Sequence, residues 1–383
     1  MERFTVFRCA VGVAMSLAWG NGLRGAAEDV PPKEGPSLEV VAEFPDQQVT
    51  GVAVSRSGRI FVNFPYWSDP HTLSVAEIDR AGQPRAFPDE AWNRTTGEPG
   101  RRFVCVQSVY VDEHDTLWIL DAAAPKMEGV IQGGAKLLQV DLSRNEIVRV
   151  YSFDDRVVRQ TSYLNDVRVD RDRQRAFITD SGEGALIVLN LESGATRRLL
   201  EGHASVKPEA EVVLTVEGRR LADQKKGGQP PAIAADSIAL DRAEGFLYFK
   251  PLTGYSLYRV WVTDLADEAL TDSDLSERVE RVADAPASDG FVFREDQIFV
   301  TAIEENAIIA YDTEENEAQT IVTDPKLKWP DSLAFGPDGA LYITTSQIHL
   351  TPRFNEGRDE VREPYRVLRL PNALDVTAAR TAE

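Results

Sequence analysis

The sequence predicts an all-β protein folded as a six-bladed β-propeller. Two observations carry this reading. A short unit recurs six times along the chain: an oxygen-bearing residue, a strand, a turn and a second strand. Each copy then runs into a third strand, and no long amphipathic helical pattern interrupts the series.

The last copy, residues 331–345, shows the unit most plainly. Leu333 and Phe335 alternate with Ser332 and Ala334, Gly336-Pro337-Asp338-Gly339 makes a turn, and Leu341 and Ile343 alternate again. The copies open at Thr50, Gln107, Asn165, Asp236, Asp289 and Asp331, spaced 57, 58, 71, 53 and 42 residues apart. That spacing is the length of a propeller blade.

Residues 1–27 read as a secretory signal peptide. Arg3 and Arg8 precede an apolar run over 9–19, and Gly25-Ala26-Ala27 places cleavage after Ala27. A secreted or periplasmic location follows, with no membrane contact after cleavage. Residues 28–36 are Pro-rich and acidic and are expected to be flexible. Residues 37–44 form a strand with no unit of its own, and 37–370 make up the propeller. Third strands are expected at 73–78, 136–142, 185–191, 257–262, 307–312 and 365–370. Fourth strands are expected at 147–153, 196–200, 278–283 and 318–323, and residues 264–276 have room for a turn or two of helix. The sixth unit lacks a fourth strand, and the tail 371–383 is weak in β-propensity. Pairing 37–44 onto that blade would close the ring and remove a free edge. Two connections, 201–235 and 347–364, are long enough to carry function.

The formal net charge is −20, from 42 Lys and Arg against 62 Asp and Glu. Such a chain lacks the basic footprint of a nucleic-acid binder and is repelled by an anionic membrane. Cys9 leaves with the signal, so Cys105 remains alone in a strand pattern, as a buried structural thiol. The four His residues have no metal-type spacing, and the sequence holds no phosphate-binding glycine loop or Gly-x-Ser-x-Gly word. No nucleotide cofactor is expected. A small-molecule partner and a monomer are.

In a propeller the innermost strand of each blade lines the central channel. The openers Thr50, Gln107, Asn165, Asp236, Asp289 and Asp331 should therefore meet near one mouth. Three carboxylates brought together need compensation. A divalent cation such as calcium, a cationic ligand or raised carboxyl pKa values would each supply it. The alternative is that these Asp residues cap turns. Asp121 and Asp180, which follow second strands, are read as turn caps. Trp67 and Trp329 flank channel-side turns and are candidates for the mouth.

Specific words then add a resemblance. AFITDSGEGALIVLNL at 176–191, GHASV at 202–206, PLTG at 251–254, LYR at 257–259, WPDS at 329–332 and SQIH at 346–349 resemble the major royal jelly protein/yellow family. The likeness runs from about residue 38 to residue 370. It implies a secreted six-bladed propeller whose channel binds small molecules, biogenic amines in some members. It also implies, for some members, conversion of dopachrome-type quinones. The chain departs from many animal members in having no disulfide pair. A more distant resemblance is to gluconolactonase-type propellers, which hold a divalent metal at inner-strand starts. That resemblance implies Asn165, Asp289 and Asp331 as metal ligands. The Glu it requires in the first blade is replaced by Thr50. Three functions stay open: a ligand-binding propeller acting on quinone-like molecules, a metal-dependent lactone hydrolase, and a non-catalytic protein-binding scaffold.

Overall fold

Strand-forming residues bury both faces of the inner strands of the units, and antiparallel pairing turns each unit into a four-stranded sheet. The computed structural model describes residues 37–374. The expected signal peptide, the segment 28–36 and all but the start of the tail 371–383 lie outside the described residues.

β1 (Glu39–Phe44) precedes the first blade. Blade one is β2 (Gly51–Val54), β3 (Ile60–Asn63), β4 (Val75–Ile78) and β5 (Pro84–Ala86). Blade two is β6 (Val106–Val111), β7 (Thr116–Asp121), β8 (Lys136–Asp141) and β9 (Glu146–Ser152). Blade three is β10 (Leu164–Asp170), β11 (Arg175–Asp180), β12 (Ala185–Asn190) and β13 (Thr196–Leu199). A small hairpin, β14 (Thr215–Val216) and β15 (Arg219–Arg220), interrupts the long connection that follows. Blade four is β16 (Ala235–Asp241), β17 (Phe246–Pro251), β18 (Ser256–Trp261) and β19 (Glu280–Asp284). Two short helices, α1 (Val262–Ala266) and α2 (Asp272–Ser276), fill the expected helical stretch. Blade five is β20 (Phe291–Arg294), β21 (Gln297–Ala302), β22 (Ala307–Asp312) and β23 (Glu317–Thr323). Blade six is β24 (Pro330–Phe335), β25 (Leu341–Thr345) and β26 (Tyr365–Leu370), with β1 as its outer strand. No helix among the described residues is long and apolar enough to cross a membrane.

β1 pairs antiparallel with β26, from Glu39 opposite Arg369 to Phe44 opposite Tyr365. Ion pairs Arg369–Glu39 at 2.7 Å and Arg366–Glu43 at 2.8 Å flank the seam. The inner strands touch in sequence around the ring, and β24 meets β2. A separate apolar cluster fills each gap between neighbouring blades, as where Trp118, Leu137 and Tyr151 of blade two meet Ile178 and Ile187 of blade three. The fourth strand of blade one, β5, was not expected from the sequence. It is three residues long and begins with Pro84, which an edge position tolerates.

A polar stitch ties each of several blades to the next. The Thr179 hydroxyl in β11 donates to the Asp236 carbonyl of the next blade at 2.8 Å. Asn63 Nδ2 in β3 donates to the carbonyls of Val106 and Gln107 at 3.1 and 3.0 Å. Thr344 Oγ1 in β25 donates to the Thr50 carbonyl and accepts from Ser332 N at 2.9 Å. These groups are buried, so the near-isosteric Thr344→Val should strand two backbone partners. We expect a loss of about 1–3 kcal/mol in chemical denaturation. An unchanged midpoint would show that the stitch contributes nothing.

Candidate functional site

Four inner strands lose register at the same mouth of the channel. The breaks fall between Val106 and Ser108, Leu164 and Val167, Ala235 and Ile238, and Pro330 and Leu333. A bulge takes side chains out of the regular ladder and re-aims them. The residues freed are Gln107, Asn165, Asp236 and Asp331. Asp289 sits two residues before β20, and the glycine after it is required by close packing. A Cβ on Gly290 would lie 2.2 Å from the Asp331 carbonyl oxygen.

A cavity of about 480 Å³ opens here. Gln107, Asn165, Asp236 and Asp289 line its inner end, and Trp67, Tyr163, Trp329 and Phe354 give it aromatic walls. The two long connections supply its outer end, including Lys226 and Arg353. These connections are ordered against each other. The Arg353 guanidinium grips Asp223 in a bidentate pair, with Nε to Oδ1 at 3.1 Å and Nη2 to Oδ2 at 2.6 Å. Arg219 reaches Glu360 at 2.6 Å, and His349 reaches Glu217 at 3.1 Å. Leu214, Val216, Leu221, Trp329 and Phe354 make an apolar cluster of their own beneath them.

The inner end is electrostatically unusual. Burial raises the Asp236 carboxyl well above its usual value, and the charges of Asp289, Asp331 and Asp166 add to this. Burial pushes Asp289 up to about 6, against the lowering effect of hydrogen bonds from Trp329 and Asp236. Asp331 is likewise raised, by burial first and by the Asp289 charge next. Among the described residues no basic side chain forms an ion pair with these three acids, and buried Lys250 acts on Asp236 only through its charge. Asn165 Nδ2 donates to Asp236 Oδ1. Trp329 Nε1 donates to Asp289 Oδ2 at 2.6 Å. Trp329 is fully buried and holds a φ of 53°, a conformation that a bulky side chain rarely adopts.

Not every opener of the predicted ring reaches the cavity. Thr50 and Asp331 are not among its lining residues. The Thr50 hydroxyl accepts from Asn63 Nδ2 at 2.9 Å, inside the blade-to-blade stitch. Asp331 acts on Asp236 through its charge, and its buried Oδ2 lacks a hydrogen-bond partner. Gln107 Oε1 accepts from the Tyr163 hydroxyl at 2.9 Å. Trp67 lines the cavity beside Trp329. Asp121 and Asp180 cap turns. Asp121 accepts from the amides of Val104, Cys105 and Ala123 and pairs with buried Lys136 at 2.7 Å. Asp180 accepts from Tyr163 N and Gly182 N and pairs with Arg198 at 2.7 Å. Cys105 is buried, and burial pushes its thiol up to about 12, far from a nucleophile's range.

The sequence points to the 347–364 connection, which holds Arg353, but it does not single out Tyr163 or Arg168. Arg168 closes the far side of the channel. It pairs with Asp166 at 3.1 Å, donates to the Phe291 carbonyl and lies 5.3 Å from the Tyr110 ring centre. A smaller cavity of about 160 Å³ lies there.

The inner end fits a hard divalent cation in kind, because all its donors are oxygens and Asp331 Oδ2 is unsatisfied. It fits less well in spacing. Among the described residues, a group of three acidic or imidazole ligand atoms within 4.8 Å of one another occurs at Glu113, His114 and Asp172, in the β6–β7 and β10–β11 turns. Asp236, Asp289 and Asp331 do not form such a group.

Comparison with known proteins adds to this. No curated protein sequence matches the chain. Among solved structures, a luciferin-regenerating enzyme is similar with a TM-score of 0.53 at 12% identity, over 88% of this chain and 96% of that one. A calcium-binding protein, regucalcin, from Agrobacterium tumefaciens gives 0.52 at 14% identity, over 88% and 96%. A gluconolactonase from Xanthomonas campestris gives 0.52 at 12% identity, over 87% and 89%. At such identities the likeness is one of fold. The sequence match is more specific: the model of the major royal jelly protein family covers residues 104–375, blades two to six with both connections that build the cavity. By that match the chain belongs to the major royal jelly protein family.

Proposed function

We propose that the protein is an exported small-molecule-binding propeller that takes an organic cation, an aromatic amine by preference, in the channel-mouth cavity. One observation carries the reading: buried carboxyls without basic partners at the inner end of a cavity walled by Trp67, Tyr163, Trp329 and Phe354. An ammonium at Asp289 would supply the missing positive charge, and the ring of the ligand would lie among the aromatic walls. About 480 Å³ suits a one- or two-ring ligand. Nitrogen-bearing quinone-like substrates would use the same walls and the same acids. The expected leader at 1–27 and the secreted character implied by family likeness support export.

The unsatisfied Asp331 Oδ2 favours a second reading, a divalent cation held by Asn165, Asp289 and Asp331. When bound, such an ion would polarise a carbonyl oxygen, as lactone hydrolysis requires. Asp236 would then hold Asn165 in place through the amide hydrogen bond.

A melting-temperature screen at pH 7.5 separates these readings. Phenethylamine should raise the midpoint, and the neutral isostere 2-phenylethanol should not. A shift with calcium that is reversed by chelator, without one from the amine, would favour the metal reading. No shift with either would leave the scaffold reading.

A further inference from the structure

The cavity carries different charge chemistry at its two ends. Its inner acids are Asp236 and Asp289, 3% and 8% exposed. Its outer end holds Arg353 and Lys226, one from each long connection. Arg353 is fixed in place by Asp223, whose side chain is fully buried. Burial alone would raise the Asp223 carboxyl, but the hydrogen bonds and charge of Arg353, with the charge of Lys226, hold it below its usual value. One fork of the guanidinium is thus committed. The remaining nitrogen, Nη1, faces the thioether of Met127, with Sδ at 2.7 Å. A thioether is a weak acceptor, so a carboxylate arriving in the cavity would be a better partner for Nη1. Lys226 is exposed beside it and free to swing toward the same group. Of the acids lining the cavity, Glu128 lies apart from the inner pair and is exposed.

We propose that the preferred ligand is a zwitterion with its charges at opposite ends, an ammonium at Asp289 and a carboxylate at Arg353 and Lys226. Arg353 is then the specificity-determining residue at the mouth, and Lys226 assists it. This rests on the reading of the cavity as an amine site. It adds an anionic requirement that the inner acids do not impose.

The test compares three probes on the full mature chain by titration calorimetry: phenethylamine, 4-(2-aminoethyl)benzoate and 4-(2-aminoethyl)benzamide, the carboxamide isostere that keeps the ammonium but lacks the carboxylate. The benzoate should bind about fivefold more tightly than the benzamide at low salt, and the ratio should shrink as salt is added. Lys226→Ala should lower the ratio about twofold, and Arg353→Gln should bring it to about one. Glu128→Gln should leave the ratio equal or larger. Because Arg353→Gln strands Asp223 and can unfold the connection, the surface variant Lys226→Ala keeps the test independent of folding. If the wild-type protein binds phenethylamine but binds the benzoate no better than the benzamide, the anionic subsite is overturned and the amine site stands. If none of the three binds, the amine site itself fails and this inference falls with it.

Discussion

Replacing Asp289 by Asn is expected to stabilise the free protein near pH 7 and to weaken amine binding about 100-fold. The two effects have one cause. The Asp289 carboxyl is raised from its usual 3.8 to about 6 in the fold. A group raised in the folded state contributes stability that is full below about pH 4. That stability is lost as pH rises through the folded pKa, because the folded state then gives up a proton it held more tightly than the unfolded chain did. Asn cannot ionise, yet its carbonyl still accepts the Trp329 indole N–H that Asp289 Oδ2 accepts. The variant should therefore melt roughly 3–5 °C higher at pH 7 and no higher at pH 4. Binding moves the other way. A charge-assisted contact with an ammonium is worth on the order of 2–3 kcal/mol, about 100-fold in Kd. Melting curves at both pH values, with phenethylamine titrations of each protein, check both halves. A variant that is less stable at pH 7 and binds the amine unchanged would remove Asp289 from the site.

Deleting residues 28–44 from the mature chain is expected to lower the melting temperature by roughly 15 °C or more, and deleting 28–35 to do little. The segment 38–44 serves two inter-blade cores at once. Leu38 packs into the cluster between blades five and six, and Ala42 and Phe44 into the cluster between blades six and one. Phe44 also meets Phe64 edge-on, with ring centres 5.0 Å apart. Losing two large buried side chains costs several kcal/mol, and the exposed edge of β26 would then be free to pair with other chains. Calorimetric scans of the two truncations decide this. A 28–44 deletion that melts like the full mature chain would mean that the ring does not depend on β1.

The blade repeat was legible because strand alternation and Gly-Pro-Asp-Gly turns are local signals. Hydrophobic residues at every second position are enough to place β24 and β25 within a residue or two. The orphan strand near the N-terminus and the missing outer strand of the last blade pointed to each other for the same reason. β5 was not legible, because Pro84-Arg85-Ala86 has little strand character and is set by its neighbour β4. The site was legible in part. Repeat position brought Gln107, Asn165, Asp236 and Asp289 to one mouth. It could not show that Thr50 is consumed by Asn63, since that depends on a side-chain direction in the neighbouring strand. Nor could it show the outer end of the cavity. Arg353 and Asp223 lie 130 residues apart, and no local pattern announces their pairing. Trp329 was a candidate on position alone, but its left-handed backbone and its bond to Asp289 emerge only from packing.

In the proposed complex an organic cation sits on Asp289 inside the aromatic cavity. The most direct test is a diffraction structure of the protein crystallised with 4-bromophenethylamine, read through the anomalous signal of bromine. One bromine peak should appear among Trp67, Tyr163, Trp329 and Phe354, with the ammonium nitrogen about 2.8 Å from an Asp289 carboxylate oxygen. A cavity without bromine, or one with a metal ion on Asp289 and Asp331 in place of the amine, would contradict it.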